Sequence, residues 1–187
     1  MFFIALRKGL YKSFEDDEIM FLTMGRYVHA ELVVVGSQAS MSCGAWEGES
    51  PSFKARDPYE FIDSKYYTFF RLPINQENAA HHFLDILQEV INSRLDYSVG
   101  WECCLPETLV KMYEKDVDYN QSPTLWKKVF CSQVILLILK KCIHEKLLPK
   151  IPLILNMHSR HCSPTLLYSL CCRFFEKCPC PFLEVNC

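Results

Sequence analysis

The apolar and polar positions divide the chain into strand-like runs near its start and helix-like stripes after its middle. Phe2 to Leu6 is an apolar run stopped by Arg7-Lys8-Gly9, and Tyr27 to Val35 is a longer, β-branched one stopped by Gly36-Ser37. Both predict strands. Ala39 to Trp46 reads as the return strand of a hairpin, and Lys65 to Leu72 as a further strand ended by Pro73. Between these lie a polar turn at Ser13–Asp17, a short segment Glu18–Thr23 that fits a helical turn or a strand, and a loop from Trp46 to Pro58. Helical spacing takes over between Glu77 and Leu95, where Ala80, Phe83, Leu84, Leu87, Val90 and Ile91 recur at intervals of three and four. After an irregular stretch from Tyr97 to Pro123, with a short helix suggested at Glu107–Tyr113, a second helix opens near Cys131. It runs to about His144 and is broken by Pro149 and Pro152. Ser163-Pro164 then sets an N-cap and first turn for a third helix, to about Glu176, and Cys178-Pro179-Cys180-Pro181 forms a stiff extended end. Strands first and helices afterwards make an α+β fold. At this length residues 1–187 form one domain, with a core over about 2–170 and a Cys/Pro tail at 177–187.

The hairpin carries the first chemical content. With Gly36-Ser37 as a two-residue loop, Val35 faces Gln38 and Glu31 faces Ser42, so His29 shares a sheet face with Ser40 and Ser42. A loop one residue longer would turn those serines to the other face.

Composition narrows the functional classes. Half of the residues are hydrophobic, and 13 Phe, 9 Tyr and 3 Trp exclude a disordered chain. A formal charge of −2, from 20 basic and 22 acidic residues, gives no footprint for nucleic acid or for an anionic membrane. The longest apolar run, Val134 to Leu139, is far below the ~20 residues of a membrane span. Met1 to Lys8 is too short for a signal peptide and carries its charges on the wrong side, so a soluble cytoplasmic protein is expected. In that compartment eleven cysteines, an odd number, read as reduced thiols: most of them core fillers, one or two chemical.

Cys131 is the first candidate. It stands where a polar, turn-rich segment gives way to a helix, and the positive end of a helix dipole favours the thiolate. A cysteine hydrolase also needs a histidine to hold and return the proton and a polar group to orient the imidazole. His29, at the head of the strongest predicted strand, is the candidate base, and Ser42, Ser40 or Glu31 can orient it. Ser42 is the first choice among the three. The long segment 97–123 is expected to wall a substrate cleft, with Tyr97, Trp101 and Tyr119 as candidate lining residues.

These residues also carry a resemblance. Tyr27-Val28-His29-Ala30-Glu31-Leu32-Val33, a glycine turn with a second strand, Phe69-Phe70-Arg71-Leu72-Pro73 and Val129-Phe130-Cys131-Ser132-Gln133-Val134 follow one another in that order. The chain thereby resembles the circularly permuted papain-like hydrolases of the NlpC-type superfamily, including the YiiX-like group and relatives in large DNA viruses. In those proteins the histidine strand precedes the cysteine helix. Phe130-Cys131-Ser132-Gln133 is similar to their tyrosine–cysteine–serine–glutamate helix start, with Gln133 in place of the glutamate. Asn120 and Ser163-Pro164 sit where members tend to carry Asn and Ser/Thr-Pro. The resemblance spans about residues 2–170. It implies an antiparallel sheet or small barrel packed against a nucleophile-bearing helix, and a thiol hydrolase that cleaves an amide, peptide or (thio)ester bond, lipid esters included, through a cysteine acyl-enzyme. It implies no cofactor, and for a viral source it implies the host cytoplasm or the virion.

Two other readings stand beside it. One is a catalytically inactive interaction or virion-associated module on the same fold, which would engage a protein partner. The other is a zinc-bound adaptor, from His158, His161, Cys162, Cys171-Cys172 and Cys178-Pro179-Cys180; their spacing fits none of the usual ligand patterns, so no metal is assigned. His81-His82 and Cys103-Cys104 carry still less.

Overall fold

A computed structural model describes residues 1–9, 14–23, 25–37, 39–46, 48–97, 116–126 and 128–182. The strands are β1 (Phe2–Lys8), β2 (Tyr27–Val35), β3 (Ser40–Ala45), β4 (Phe53–Arg56), β5 (Tyr67–Arg71), β6 (Asp96–Tyr97), β7 (Lys128–Val129) and β8 (Glu176–Cys178). The helices are α1 (Phe14–Thr23), α2 (Pro58–Phe61), α3 (Glu77–Asn92), α4 (Cys131–His144), α5 (Pro152–Asn156) and α6 (Pro164–Phe174). Six strands form an antiparallel sheet in the order β4-β3-β2-β1-β5-β8, while β6 and β7 pair in parallel apart from it. The architecture is α+β.

β2 is buried along its whole length, which explains why its sequence is apolar without alternation. Its even positions Ala30, Leu32 and Val34, with Phe2, Ile4 and Leu6 of β1, enter the main core with residues of α3, α4 and α6. Its odd positions Val33 and Val35 join Phe3, Ala5, Phe69 and Phe182 in a smaller cluster. His29 and Glu31 share the odd parity.

Within the main core α4 is buried on every side, Ser132, Gln133 and Lys140 included. Its three buried polar side chains are tied down. Ser132 Oγ donates to the Cys162 carbonyl at 2.5 Å, and Gln133 Nε2 donates to Ser159 Oγ at 3.2 Å. Lys140 Nζ reaches the Met157 carbonyl at 2.6 Å and Asp116 Oδ2 at 2.9 Å. Asp116 Oδ1 also accepts from the Ser159 N–H at 2.9 Å. One helix and the segment 157–162 are thus locked together beside the start of α4. Downstream, the Ser163 cap forms as expected, its Oγ accepting from the Leu166 N–H at 3.2 Å.

The departures from the sequence reading have simple causes. The hairpin pairs Val35 with Ser40, Val33 with Ser42 and Glu31 with Gly44, so its loop is 36–39 rather than Gly36-Ser37. Two extra residues preserve parity, and His29 keeps the face it shares with Ser40 and Ser42. Phe53–Arg56, expected as loop, is a strand too short to show its alternation between Pro51 and Pro58. The 18–23 segment is the second half of helix α1. The third helix stops at Phe174, short of the expected Glu176, and the stiff tail is built into the sheet: Glu176–Cys178 pairs with β5, and Phe182 packs edge-on against Phe69. Trp101 and the helix suggested at 107–113 lie outside the described residues. Among the described residues no helix is long and apolar enough to cross a membrane.

Candidate functional site

Cys131 is the first residue of α4. Phe130 caps the helix with extended backbone (φ −109°, ψ 169°) and no side-chain hydrogen bond, so the N-terminal amides are not consumed by a capping side chain. The Ser132 N–H points at the Cys131 sulfur, and so does the Ala30 N–H of β2. Ala30 can do so because the β2–β3 ladder stops at Glu31–Gly44, one residue short of it. The third group on the sulfur is the His29 imidazole, which hydrogen-bonds it. Cys131 is 4% exposed and His29 9%.

On its other side the imidazole meets Glu31. His29 Nε2 lies 3.4 Å from Glu31 Oε1, at ion-pair distance though not in the alignment of a strict hydrogen bond. Glu31 is 1% exposed and is held from two more strands. Tyr67 Oη of β5 donates to Oε1 at 2.8 Å, and Ser42 Oγ of β3 donates to Oε2. Gly44 makes room for this: a Cβ there would sit 3.0 Å from Glu31 Cγ and 3.2 Å from the Trp46 ring. That ring lies 5.7 Å from the imidazole, with the Arg56 guanidinium 3.9 Å from the indole centroid.

The charges agree with this geometry. Burial works to raise the Cys131 pKa, but the His29 charge and hydrogen bond, then the Ala30 and Ser132 amides, bring it below the ordinary thiol value. Burial likewise works to lower the His29 pKa, but Cys131 first and Glu31 second raise it to about 9. For Glu31 burial is outweighed by His29, Ser42 and Tyr67, which keep the carboxyl below its usual range. The result is a buried thiol–imidazole–carboxyl row in which each neighbour favours the charged form of the next. Other buried thiols behave oppositely: burial pushes Cys43 and Cys142 to about 12 and raises Cys162 and Cys171 well above the ordinary thiol value.

Cys131 and His29 thus come together from 102 positions apart in sequence. Ser42 joins them one step back: it binds Glu31, and the carboxylate is what stands beside the imidazole. Gln133 Nε2 is engaged by Ser159 Oγ.

Nothing matches the chain among protein-family models, curated proteins or solved structures.

The expected lining residues fare differently. Tyr97 pairs with Val129, two residues before Cys131, which places it on the approach to the helix start. Tyr119 lies against His144, with ring centroids 6.2 Å apart, at the opposite end of α4. Thirteen helical residues put that about 20 Å from Cys131, so Tyr119 does not line a cleft at the sulfur. It borders instead a separate cavity of about 480 Å³ with Ile143, Leu148 and Leu155. Among the described residues no group of His, Cys, Asp or Glu is arranged to hold a metal ion. His158 faces Asp116 at 3.9 Å, and Cys178 is part of β8. The residue that sequence reasoning missed is Tyr67. Its only signal is that a strand beginning there presents Tyr67 and Phe69 on the same face, and the sequence does not say which strand lies beside it.

Proposed function

We propose that the protein is a cysteine hydrolase of the permuted papain-like kind, which cleaves an amide, peptide or (thio)ester bond through an acyl-enzyme on Cys131. The observation that carries the reading is the Cys131–His29–Glu31 row, a nucleophile at a helix start with a base and an orienting carboxylate in contact. The Cys131 thiolate attacks the carbonyl carbon, and the new oxyanion is met by the Cys131 N–H at the start of α4. The tetrahedral species collapses, the bond to the leaving group breaks, and the His29 imidazolium gives that group its proton. His29, now neutral, takes a proton from water. The hydroxide attacks the thioester carbonyl, the acid product departs, and the thiolate–imidazolium pair is restored. Glu31 stays ionised throughout and fixes the ring.

An electrophilic thiol probe tests the reading. Labelling is expected on Cys131 ahead of the other cysteines at neutral pH, lost in Cys131→Ala and strongly slowed in His29→Ala. Hydrolysis of a panel of acyl and peptide substrates should follow the same pattern. Labelling that persists in Cys131→Ala, or is insensitive to His29→Ala, would overturn it.

A further inference from the structure

We infer that Tyr67 is a positioning residue of this site, which holds Glu31 ionised and in line with His29 from a strand that neither of them belongs to. The inference rests on the hydrolase reading for its purpose, though not for its test. A carboxylate buried to 1% must have its lone pairs met by donors or it takes up a proton. Glu31 has three partners. Oε2 is met by Ser42, while Oε1 carries both the 2.8 Å bond from Tyr67 and the 3.4 Å contact to His29. Tyr67 therefore acts on the same oxygen that faces the imidazole. Without its hydroxyl, that oxygen has only the histidine to stabilise its charge, and nothing on the β5 side fixes where it points.

The surroundings make Tyr67 suited to that task. Besides His29 of its own β2, the titratable groups around Glu31 are Tyr67 of β5, in contact with it, Cys131 of α4, which meets His29, and Arg7 of β1 on the same sheet face; Cys43 of β3 points the other way, into the main core. Arg7 lies across the ladders from both His29 and Tyr67. It is engaged by Asp16 of α1 through two bonds of 2.8 and 3.1 Å. The nearest oxygens of Glu31 are thus left to neutral hydroxyls and the imidazole. Burial and the adjacent Glu31 charge drive the Tyr67 pKa far up, so the phenol keeps its proton and donates it to the carboxylate. A lysine or arginine in its place would neutralise Glu31 and compete with His29 for it. A hydroxyl supports the carboxylate without cancelling its charge.

Tyr67→Phe removes the donor and keeps the ring that lies 6.2 Å from Phe69. The test is urea unfolding of wild type and Tyr67→Phe near pH 7 and in steps down to about pH 2.5, well below the ordinary glutamate value of about 4.3. A carboxyl whose folded pKa is depressed stabilises fully above its unfolded pKa, and the benefit goes as pH falls through the folded value. The stability gap between the two proteins is therefore expected to hold down to about pH 4 and to narrow progressively below it, as pH falls through the depressed folded value. A gap that stays constant across the whole series would show that Tyr67 only packs, and would overturn the inference. Thiol labelling of the same two proteins judges the hydrolase reading separately. A roughly tenfold slower rate in Tyr67→Phe supports both, whereas no Cys131 labelling in wild type with a pH-dependent gap sinks the hydrolase reading and leaves the Tyr67 assignment standing.

Discussion

Replacing Glu31 by Gln keeps the volume and most of the hydrogen-bonding outline of the side chain, and removes its charge. At 3.4 Å from His29 Nε2 that charge is worth about 5 kcal/mol in gross attraction, taking an effective dielectric constant near 20. Much of that is offset, because the wild-type carboxylate carries its own desolvation cost and Cys131 remains to hold the imidazolium. The net fall in the His29 pKa should then be roughly one to three units, the span an adjacent opposite charge commands. From about 9 in the wild type it would drop to between about 6 and 8. Ring-carbon NMR titration measures this directly, with His29 identified among the six histidines by the signal missing in His29→Gln. Under the proposed hydrolase reading, the alkaline limb of the pH–rate profile, which needs the imidazolium as acid, should move down by the same amount. A Glu31→Gln protein whose His29 still titrates near 9 would refute the reasoning. In that case the thiolate alone would set the ionisation of the ring, and Glu31 would be a spectator.

Two further outcomes follow from other contacts. Lys140→Met strips the ammonium from a site that is 1% exposed and leaves the Met157 carbonyl and Asp116 short of a partner; urea unfolding should show a loss of about 2–4 kcal/mol, with little change in Cys131 labelling two and a half turns away. Gly44→Ala drives a methyl group against Glu31 and Trp46, so it should cost about 1–3 kcal/mol and slow labelling as well; an active and fully stable variant would show that the gap beside Glu31 is not needed.

How much of this could be read from the sequence varied with the range of the interaction. The bounds of β2 and of α4 follow from local pattern: a β-branched run ended by Gly36, and an apolar run that opens at Cys131 and closes near two prolines. The His29 face survived a misjudged loop because two residues of error leave alternation intact. The orienting residue was a harder matter. Glu31 and Ser42 lie on one face, and only distances show that the carboxylate meets the ring while the serine meets the carboxylate. Tyr67 was out of reach, because its place depends on β5 pairing with β1, a contact between residues some sixty positions apart. Tyr119 was misplaced for a related reason. Proximity in sequence to Cys131 says nothing about which end of a 14-residue helix a loop returns to.

The three-residue strand β8 has a consequence for the behaviour of the chain in concentrated solution. It occupies the outer side of β5 by pairing Phe69 with Cys178 and Arg71 with Glu176. Without it, β5 would present a row of open amides and carbonyls beside Phe69 and Phe70, a template on which another molecule could add a strand. The lysine and glutamate of β8 face solvent at the rim, charges of the kind that discourage such stacking. The segment read from sequence as a helix end and a stiff extended tail thus acts as a guard against self-association. Damage to it should be seen first as aggregation.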